Sequence, residues 1–249
     1  MCAASVPSGQ VFQPNGVVPA AMPNVWLASE LARSRRPSIP TGHADLDSEL
    51  PDDGWPRSVL TELLLQQPGI GELQLLKPVL AALSCRQRVA LVQPPYIPHA
   101  LAAMTWGLDV SRLIWVQPEN TADALWSTEE LLKNGGFGAI LLWQRDVRSE
   151  HLRRLHLAAQ RTETWLWLLR PLASAVEPSP APLRLALRPA DGGTLVEIVK
   201  PRGPAADEPI FIELAEMPRR RHPVETDHAP SVQRVPAPVA VTGAASVLV

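Results

Sequence analysis

The sequence has little cysteine, few aromatic residues other than tryptophan, and no long apolar run. Its two cysteines, Cys2 and Cys85, form no CxxC pair, so neither a disulfide framework nor a cysteine-based zinc site is expected. No apolar run approaches the ~20 residues that a membrane-spanning helix needs. Residues 1–22 lack a charged segment followed by an apolar one, so no secretory signal peptide is expected. These absences predict a protein of the reducing cytoplasm.

The chain also lacks a large excess of positive or negative charge. The formal net charge is −2, so no overall basic field attracts nucleic acid, and any DNA contact would depend on a local patch. The hydrophobic fraction of 46% is sufficient for a core, whereas proline, glycine and small residues dominate both ends. We therefore predict a disordered segment over residues 1–23, one domain over 24–215 and a disordered tail over 216–249.

Apolar runs and amphipathic runs alternate through the middle of the chain. Nearly continuous apolar strands separated by helices favour a parallel sheet that is buried on both faces. Three later strands joined by short polar turns favour antiparallel pairing, with Asp191–Gly193 as a hairpin turn. The expected class is α/β, a mostly parallel sheet flanked by helices with antiparallel strands at its C-terminal end. The predicted strands are 59–65, 88–93, 112–117, 137–143, 164–170, 183–189, 194–200 and 209–214, and the predicted helices are 24–36, 72–84, 97–107, 121–136 (capped by Thr121) and 148–161; residues 37–58 are predicted as loop with one helical turn.

A glycine-containing loop, QQPGIGEL, follows the first long strand and precedes a helix, which is the position of a phosphate-binding loop. A working loop of the form GxxxxGK[ST] supplies backbone amides, a lysine and a hydroxyl to phosphate and magnesium. When Gly71 is taken as its second glycine, the first falls at Gln66, the lysine at Glu72 and the hydroxyl at Leu73. The strand that should end in a magnesium-binding aspartate ends instead in Trp143. We interpret Gln66, Pro68, Gly69, Gly71, Glu72 and Leu73 as a vestigial nucleotide loop, with no catalytic residue and no cofactor.

Three segments resemble the core of the RecA recombinases. They are residues 39–73 (with Thr41-Gly42, Leu46-Asp47 and Glu62), residues 107–125 (with Gln117-Pro118) and residues 196–214. The resemblance implies a RecA-like fold over about residues 25–215. It does not carry over catalysis, because the water-activating glutamate should follow RVALVQ, where this chain has PPY, with Pro95 nearest. The segments that match the DNA-contacting loops of RecA are also short.

The stretches VWLASELARSRRPSIPTG, PGIGEL and KPRGP more closely resemble the ImuA family, RecA-like and SulA-related accessory proteins of bacterial damage-induced mutagenesis. This resemblance implies an adaptor in error-prone translesion DNA synthesis during the SOS response. The implied partners are a Y-family-like polymerase subunit of the ImuB type and an error-prone replicative-type polymerase, with RecA as a further candidate. Two alternatives stay open: a SulA-type inhibitor that binds the tubulin-like division protein, and a live ATPase with measurable nucleotide affinity.

Several surface residues are candidates for contacts with partners. Trp26, Leu27 and Leu31 lie on the predicted N-terminal helix and would dock on a partner or fold back on the core. Two basic sets would contact DNA phosphate or an acidic partner, or would only be solvated. The first set is Arg145, Arg148, Arg153 and Arg154; the second is Lys200, Arg202, Arg219, Arg220 and Arg221, with Arg184 and Arg188 nearby. The tryptophans from Trp106 to Trp167 are expected mostly to pack in the core, and the histidines show no metal-ligand spacing.

Overall fold

The computed structural model describes residues 37–199 and 208–214. In this part of the chain, ten strands form a two-stranded and an eight-stranded sheet, and five α-helices accompany them. The strands are β1 (Ser38–Ile39), β2 (Trp55–Pro56), β3 (Leu60–Leu65), β4 (Arg88–Val92), β5 (Leu113–Val116), β6 (Phe137–Trp143), β7 (Trp165–Pro171), β8 (Leu183–Ala190), β9 (Gly193–Ile198) and β10 (Ile210–Glu213). The helices are α1 (Ala44–Glu49), α2 (Glu72–Ser84), α3 (Ala100–Thr105), α4 (Thr121–Asn134) and α5 (Ser149–Ala159). None of these helices is both long and apolar enough to cross a membrane.

The large sheet has the strand order β10-β9-β8-β3-β7-β6-β4-β5. Neighbours from β8 through β5 run parallel, whereas β9 pairs antiparallel with both β8 and β10. The predicted α/β class, with a mostly parallel sheet and antiparallel strands at its C-terminal end, is therefore confirmed. The short strands β1 and β2, in a region predicted as loop, pair with each other and were missed because two residues carry no alternation signal.

Helices cover both faces of the sheet. On one face α2 contributes Leu76, Val79 and Leu80, which are at most 2% exposed and pack with alternate residues of the central strands. On the other face Leu125 of α4 and Leu155 of α5 pack against the remaining strand residues. Because successive side chains of a strand point to opposite faces, both layers draw on the same nearly continuous apolar strands. This arrangement leaves the carboxyl ends of the parallel strands along one edge.

Local signals account for most element boundaries. The β8–β9 hairpin turns at Asp191 and Gly192, where Gly192 has φ +75°, as the sequence predicts. Helix α4 ends before Gly135 at φ +67°. Its predicted cap was wrong by one residue: the Asn120 side chain, and not that of Thr121, accepts the Asp123 N–H at 2.9 Å.

Candidate functional site

A cleft of about 640 Å³ lies where β3, β4, β6 and β7 end. In open α/β sheets, ligands bind beyond the carboxyl ends of the strands, so this edge is the candidate site. The volume falls within the range of roughly 300–1,000 Å³ that is usual for ligand pockets. The cleft is lined by Leu65, Gln66, Gln67, Pro68, Gln93, Pro95, Thr121, Trp143, Gln144, Arg145, Asp146, Leu169, Arg170 and Pro171.

The glycine-containing loop forms one rim of this cleft, and the side chain of Glu72 folds back onto the loop. The Gly69 N–H donates to both carboxylate oxygens of Glu72, at 3.0 and 3.1 Å from Oε1 and Oε2. Glu72 is 4% exposed and is the first residue of α2, so its negative charge lies at the positive end of the helix dipole. A carboxylate of the protein itself therefore takes the loop N–H that would face a phosphate.

The backbone conformation at Gly71 favours glycine, because its φ of +108° falls in the left-handed region. A Cβ at this position would also lie 2.1 Å from Cδ1 of Leu214, the residue after β10, so the end of that side chain would have to move. The turn from β3 to α2 therefore lies against the residue that follows the last described strand. Leu73, at the position of the phosphate-loop hydroxyl, packs against the apolar core instead.

The end of β6 carries Trp143, as the sequence predicts, in the place where a nucleotide-binding protein would present an aspartate. Trp143 is 7% exposed, and its Nε1 has no hydrogen-bond partner within the described residues. The next residue, Gln144, donates an Nε2–H to Oε1 of Gln93 at the end of the neighbouring strand β4. Gln93 has φ +51°, a left-handed conformation that is rare outside glycine and clusters at functional sites. Sequence reasoning missed this amide pair, although each glutamine directly follows an apolar strand.

A buried ionic network lies behind the cleft and was also missed. Glu62 of β3 is 0% exposed and contacts two arginines: Arg184 Nε at 2.6 Å and Arg170 Nη1 at 3.4 Å. Arg170 also pairs with Glu177 at 2.6 Å. Arg184 donates to the carbonyls of Ser174 and Ala175, at 2.9 and 3.1 Å. Two positive and two negative side chains thus balance one another beneath the segment that joins β7 to β8.

In the structure, two members of the first basic set lie near acidic side chains. Arg154 pairs with Glu129 at 2.7 Å, and Arg148 lies 4.0 Å from Glu150. Arg145 and Arg153 are exposed, and Arg145 lines the cleft beside Asp146. Of the second set, Arg184 belongs to the buried network and Arg188 lies 4.0 Å from Glu197. The remaining members, Lys200, Arg202, Arg219, Arg220 and Arg221, and the docking candidates Trp26, Leu27 and Leu31 lie outside the described residues.

An exposed apolar ridge borders the cleft at Pro95 and was not predicted. It consists of Tyr96, Ile97, Leu101 and Met104, which are 67%, 76%, 66% and 60% exposed. Its last three members are spaced i, i+4, i+7, as on one face of the helix predicted over 97–107, but α3 begins only at Ala100, so Ile97 precedes the helix. Two of the tryptophans expected to pack in the core are also exposed instead: Trp126 on α4 at 63% and Trp115 on the edge strand β5 at 43%.

Comparison with known proteins gives a distant relationship. No protein-family model matches the chain. A similar curated protein is the cell division inhibitor SulA of Serratia proteamaculans (strain 568), which is 26% identical over 125 residues. The alignment covers 50% of this chain and 74% of SulA.

Within the described residues, no group of three or more histidine, cysteine, aspartate or glutamate side chains is arranged to hold a metal ion.

Proposed function

We propose that this chain is a non-catalytic adaptor of error-prone translesion DNA synthesis in the bacterial SOS response. It would have a RecA-like core with a degenerate phosphate loop. Its partners would be a Y-family-like polymerase subunit and an error-prone replicative-type polymerase, with RecA as a further partner. The distant similarity to SulA supports an SOS-related role, and the resemblance of residues 25–42, 68–73 and 200–204 to ImuA proteins motivates the finer assignment.

The observation that carries the proposal is the bond between Glu72 and the Gly69 N–H. The carboxylate is buried, lies at the amino end of α2 and accepts at 3.0 and 3.1 Å. A nucleotide phosphate in the same place would meet this negative charge and no lysine. Charge-assisted contacts supply most of the affinity and catalysis of phosphate sites, so their reversal argues against an ATPase. An α/β domain that keeps the loop without its chemistry is suited to a role in binding.

A nucleotide titration tests the non-catalytic part of the proposal. We expect the full chain to show no ATP or ADP affinity by isothermal titration at millimolar nucleotide with Mg²⁺. The variant Glu72→Lys should show none either, because Leu73 supplies no hydroxyl and Trp143 no carboxylate for magnesium. A measurable affinity with ATP turnover in the unaltered chain would instead support the live ATPase.

Co-purification tests the adaptor part. The full chain should bind the purified Y-family-like polymerase subunit from the same organism. Deletion of the gene that encodes this chain should lower damage-induced mutagenesis. Loss of mutagenesis without any effect on division is the expected phenotype. Normal mutagenesis in the deletion strain would contradict the adaptor function even if the two proteins associate.

The second candidate is a SulA-type inhibitor that binds the tubulin-like division protein. The specific observation in its favour is the match to a cell division inhibitor over half of the chain. It predicts filamentous cells when the chain is overproduced, and inhibition of polymerisation of the purified division protein. The adaptor predicts neither effect, so a single overproduction experiment separates the two functions.

A further inference from the structure

The Gln93–Gln144 pair leaves hydrogen-bonding groups unused at the cleft. Gln144 is 7% exposed, and both residues line the cleft at the ends of neighbouring strands. Their mutual bond uses one N–H of Gln144 and one lone pair of Gln93. No bond within the described residues engages Gln144 Oε1 or Gln93 Nε2. If the two amides are flipped, the same kinds of group stay free, one carbonyl oxygen and one NH₂.

A free acceptor beside a free donor matches the edge of another amide. These groups have no protein partner within the described residues, so a ligand that pairs with them gains specificity as well as affinity. Each residue of an extended strand presents its N–H and its C=O on the same side, and successive residues present theirs on alternate sides. The base edge of a nucleotide would offer the same groups, but its phosphates would meet Glu72 in the loop.

The charges around the cleft favour an uncharged occupant. The guanidinium of Arg170 is 1% exposed and is neutralised by Glu62 and Glu177. At the rim, Arg145 and Asp146 are adjacent residues of opposite charge, and both are exposed. Neither residue has an ion-pair partner within the described residues, but their charges cancel, so the cleft lining has no net charge that would select an acidic or a basic segment.

The apolar ridge extends this surface in one direction. Pro95 lines the cleft, and the next residues, Tyr96 and Ile97, begin the ridge. The ring of Tyr96 comes within 3.7 Å of the Cβ position of Gly69, so the ridge lies against the loop that forms the cleft rim. A chain segment leaving the cleft along this side would bury apolar side chains that monomeric proteins seldom expose together.

We infer that the cleft binds an extended, uncharged peptide segment of a partner protein. Its backbone amides pair with Gln93 and Gln144, and its apolar side chains pack on the ridge. The inference deepens the proposed adaptor function and rests on it for the partner, which would carry the segment. Main-chain hydrogen bonds supply affinity in such complexes, and pockets for alternate side chains supply specificity.

Peptide selection tests the cleft whichever protein carries the segment. Phage-displayed 12-residue peptides are panned on the immobilised full chain, and selected peptides are measured by fluorescence polarisation. We expect peptides without net charge, weakened roughly tenfold by Gln144→Leu, which removes the free amide. Ile97→Asp and Leu101→Asp on the ridge should weaken them similarly. The matched control is Leu157→Asp on α5. The Leu157 side chain is 55% exposed and lies outside the ridge, so this variant should keep the peptide affinity of the unaltered chain to within about twofold.

Circular dichroism and thermal melting verify that each variant is folded. If Gln144→Leu fails to fold, the two exposed ridge variants still decide the question, because surface substitutions seldom perturb folding. Peptides that bind all the variants equally would overturn the inference, as would selections that yield no binder. Displacement of the peptides by ATP would show a nucleotide site and would also overturn it.

The same variants separate this inference from the proposed function. If the Y-family-like subunit does not bind the unaltered chain but cleft-dependent peptides are found, the named partner is wrong and the cleft assignment stands. If the subunit binds the unaltered chain and all three cleft and ridge variants with equal affinity, the adaptor function stands and the cleft assignment falls.

Discussion

Removing the negative charge of Glu62 should destabilise the protein more than any other single charge neutralisation in the central strands. Glu62 accepts from Arg184 and from Arg170, one oxygen for each. In Glu62→Gln the amide keeps one acceptor oxygen and turns an NH₂ toward the second arginine. Arg170 retains Glu177, but Arg184 would keep only the Ser174 and Ala175 carbonyls, with no anion.

The expected cost follows from burial. Arg184 and Glu62 side chains are 4% and 0% exposed, and breaking a buried ion pair at one partner costs about 3–5 kcal/mol. A matched control lies in the same sheet, because Arg188 pairs with Glu197 at 4.0 Å with side chains that are 49% and 41% exposed. Glu197→Gln should cost about 0–1 kcal/mol, since exposed pairs contribute little.

Urea unfolding monitored by tryptophan fluorescence measures both variants. Since domains of this size are stable by roughly 5–15 kcal/mol, Glu62→Gln should move the midpoint far to lower urea without a change of slope. If it does not fold, the double variant Glu62→Leu/Arg184→Leu should recover a cooperative transition, because it removes the unpaired charge with its partner. Equal costs for Glu62→Gln and Glu197→Gln would refute the reasoning.

Two further outcomes follow from local geometry. Gly42→Ala should lower the free energy of unfolding by at least ~1 kcal/mol more than Gly192→Ala does. Both glycines have a positive φ, +87° and +75°. Only the Cβ added at residue 42 would meet a rigid neighbour, Pro78 Cβ at 2.5 Å. The Ser111 side-chain hydrogen bond lowers the pKa of Asp109, so this carboxylate stabilises the fold above its unfolded-state pKa and the contribution disappears as pH falls through the lower folded value. A carbon-13 carboxyl titration by nuclear magnetic resonance should show the pKa rising in Ser111→Ala, and an unchanged value would contradict the assignment.

The fold was largely predictable because its signals are local. Helix α2 was predicted over 72–84 and is found at Glu72–Ser84, since its apolar spacing is helical and a glycine precedes it. Strand β6 agrees at both ends, because a nearly continuous apolar run of seven residues between glycines and a polar segment is typical of a buried strand. The parallel contact of β8 with β3 was not predicted, since strand order depends on packing between distant segments.

The candidate site was predictable only where the identity of one residue at a motif position decides its chemistry. The loss of the phosphate-loop lysine is visible at Glu72 itself, but the bond of its carboxylate to Gly69 requires the turn geometry. The buried network joins residues 108 and 122 positions apart, which no periodicity relates. Arg184 was therefore grouped with surface basic residues, although its partner lies at the centre of the sheet.

The described part of the site has one consistent electrostatic character. At the edge where α/β proteins usually hold anions, carboxylates of the protein itself pair with the groups that could bind an anion: Glu72 with the Gly69 N–H, and Glu62 and Glu177 with the two Nη atoms of Arg170, whose Nε has no partner within the described residues. Each internal bond removes a group that could attract phosphate, and replacing it with an external anion would expose a buried carboxylate without a partner. What stays free at the cleft has no net charge: it consists of an amide pair, the adjacent and oppositely charged Arg145 and Asp146 at the rim, and a bordering apolar ridge. We therefore expect such a surface to recognise shape and backbone hydrogen bonds, which are the features that a protein segment offers.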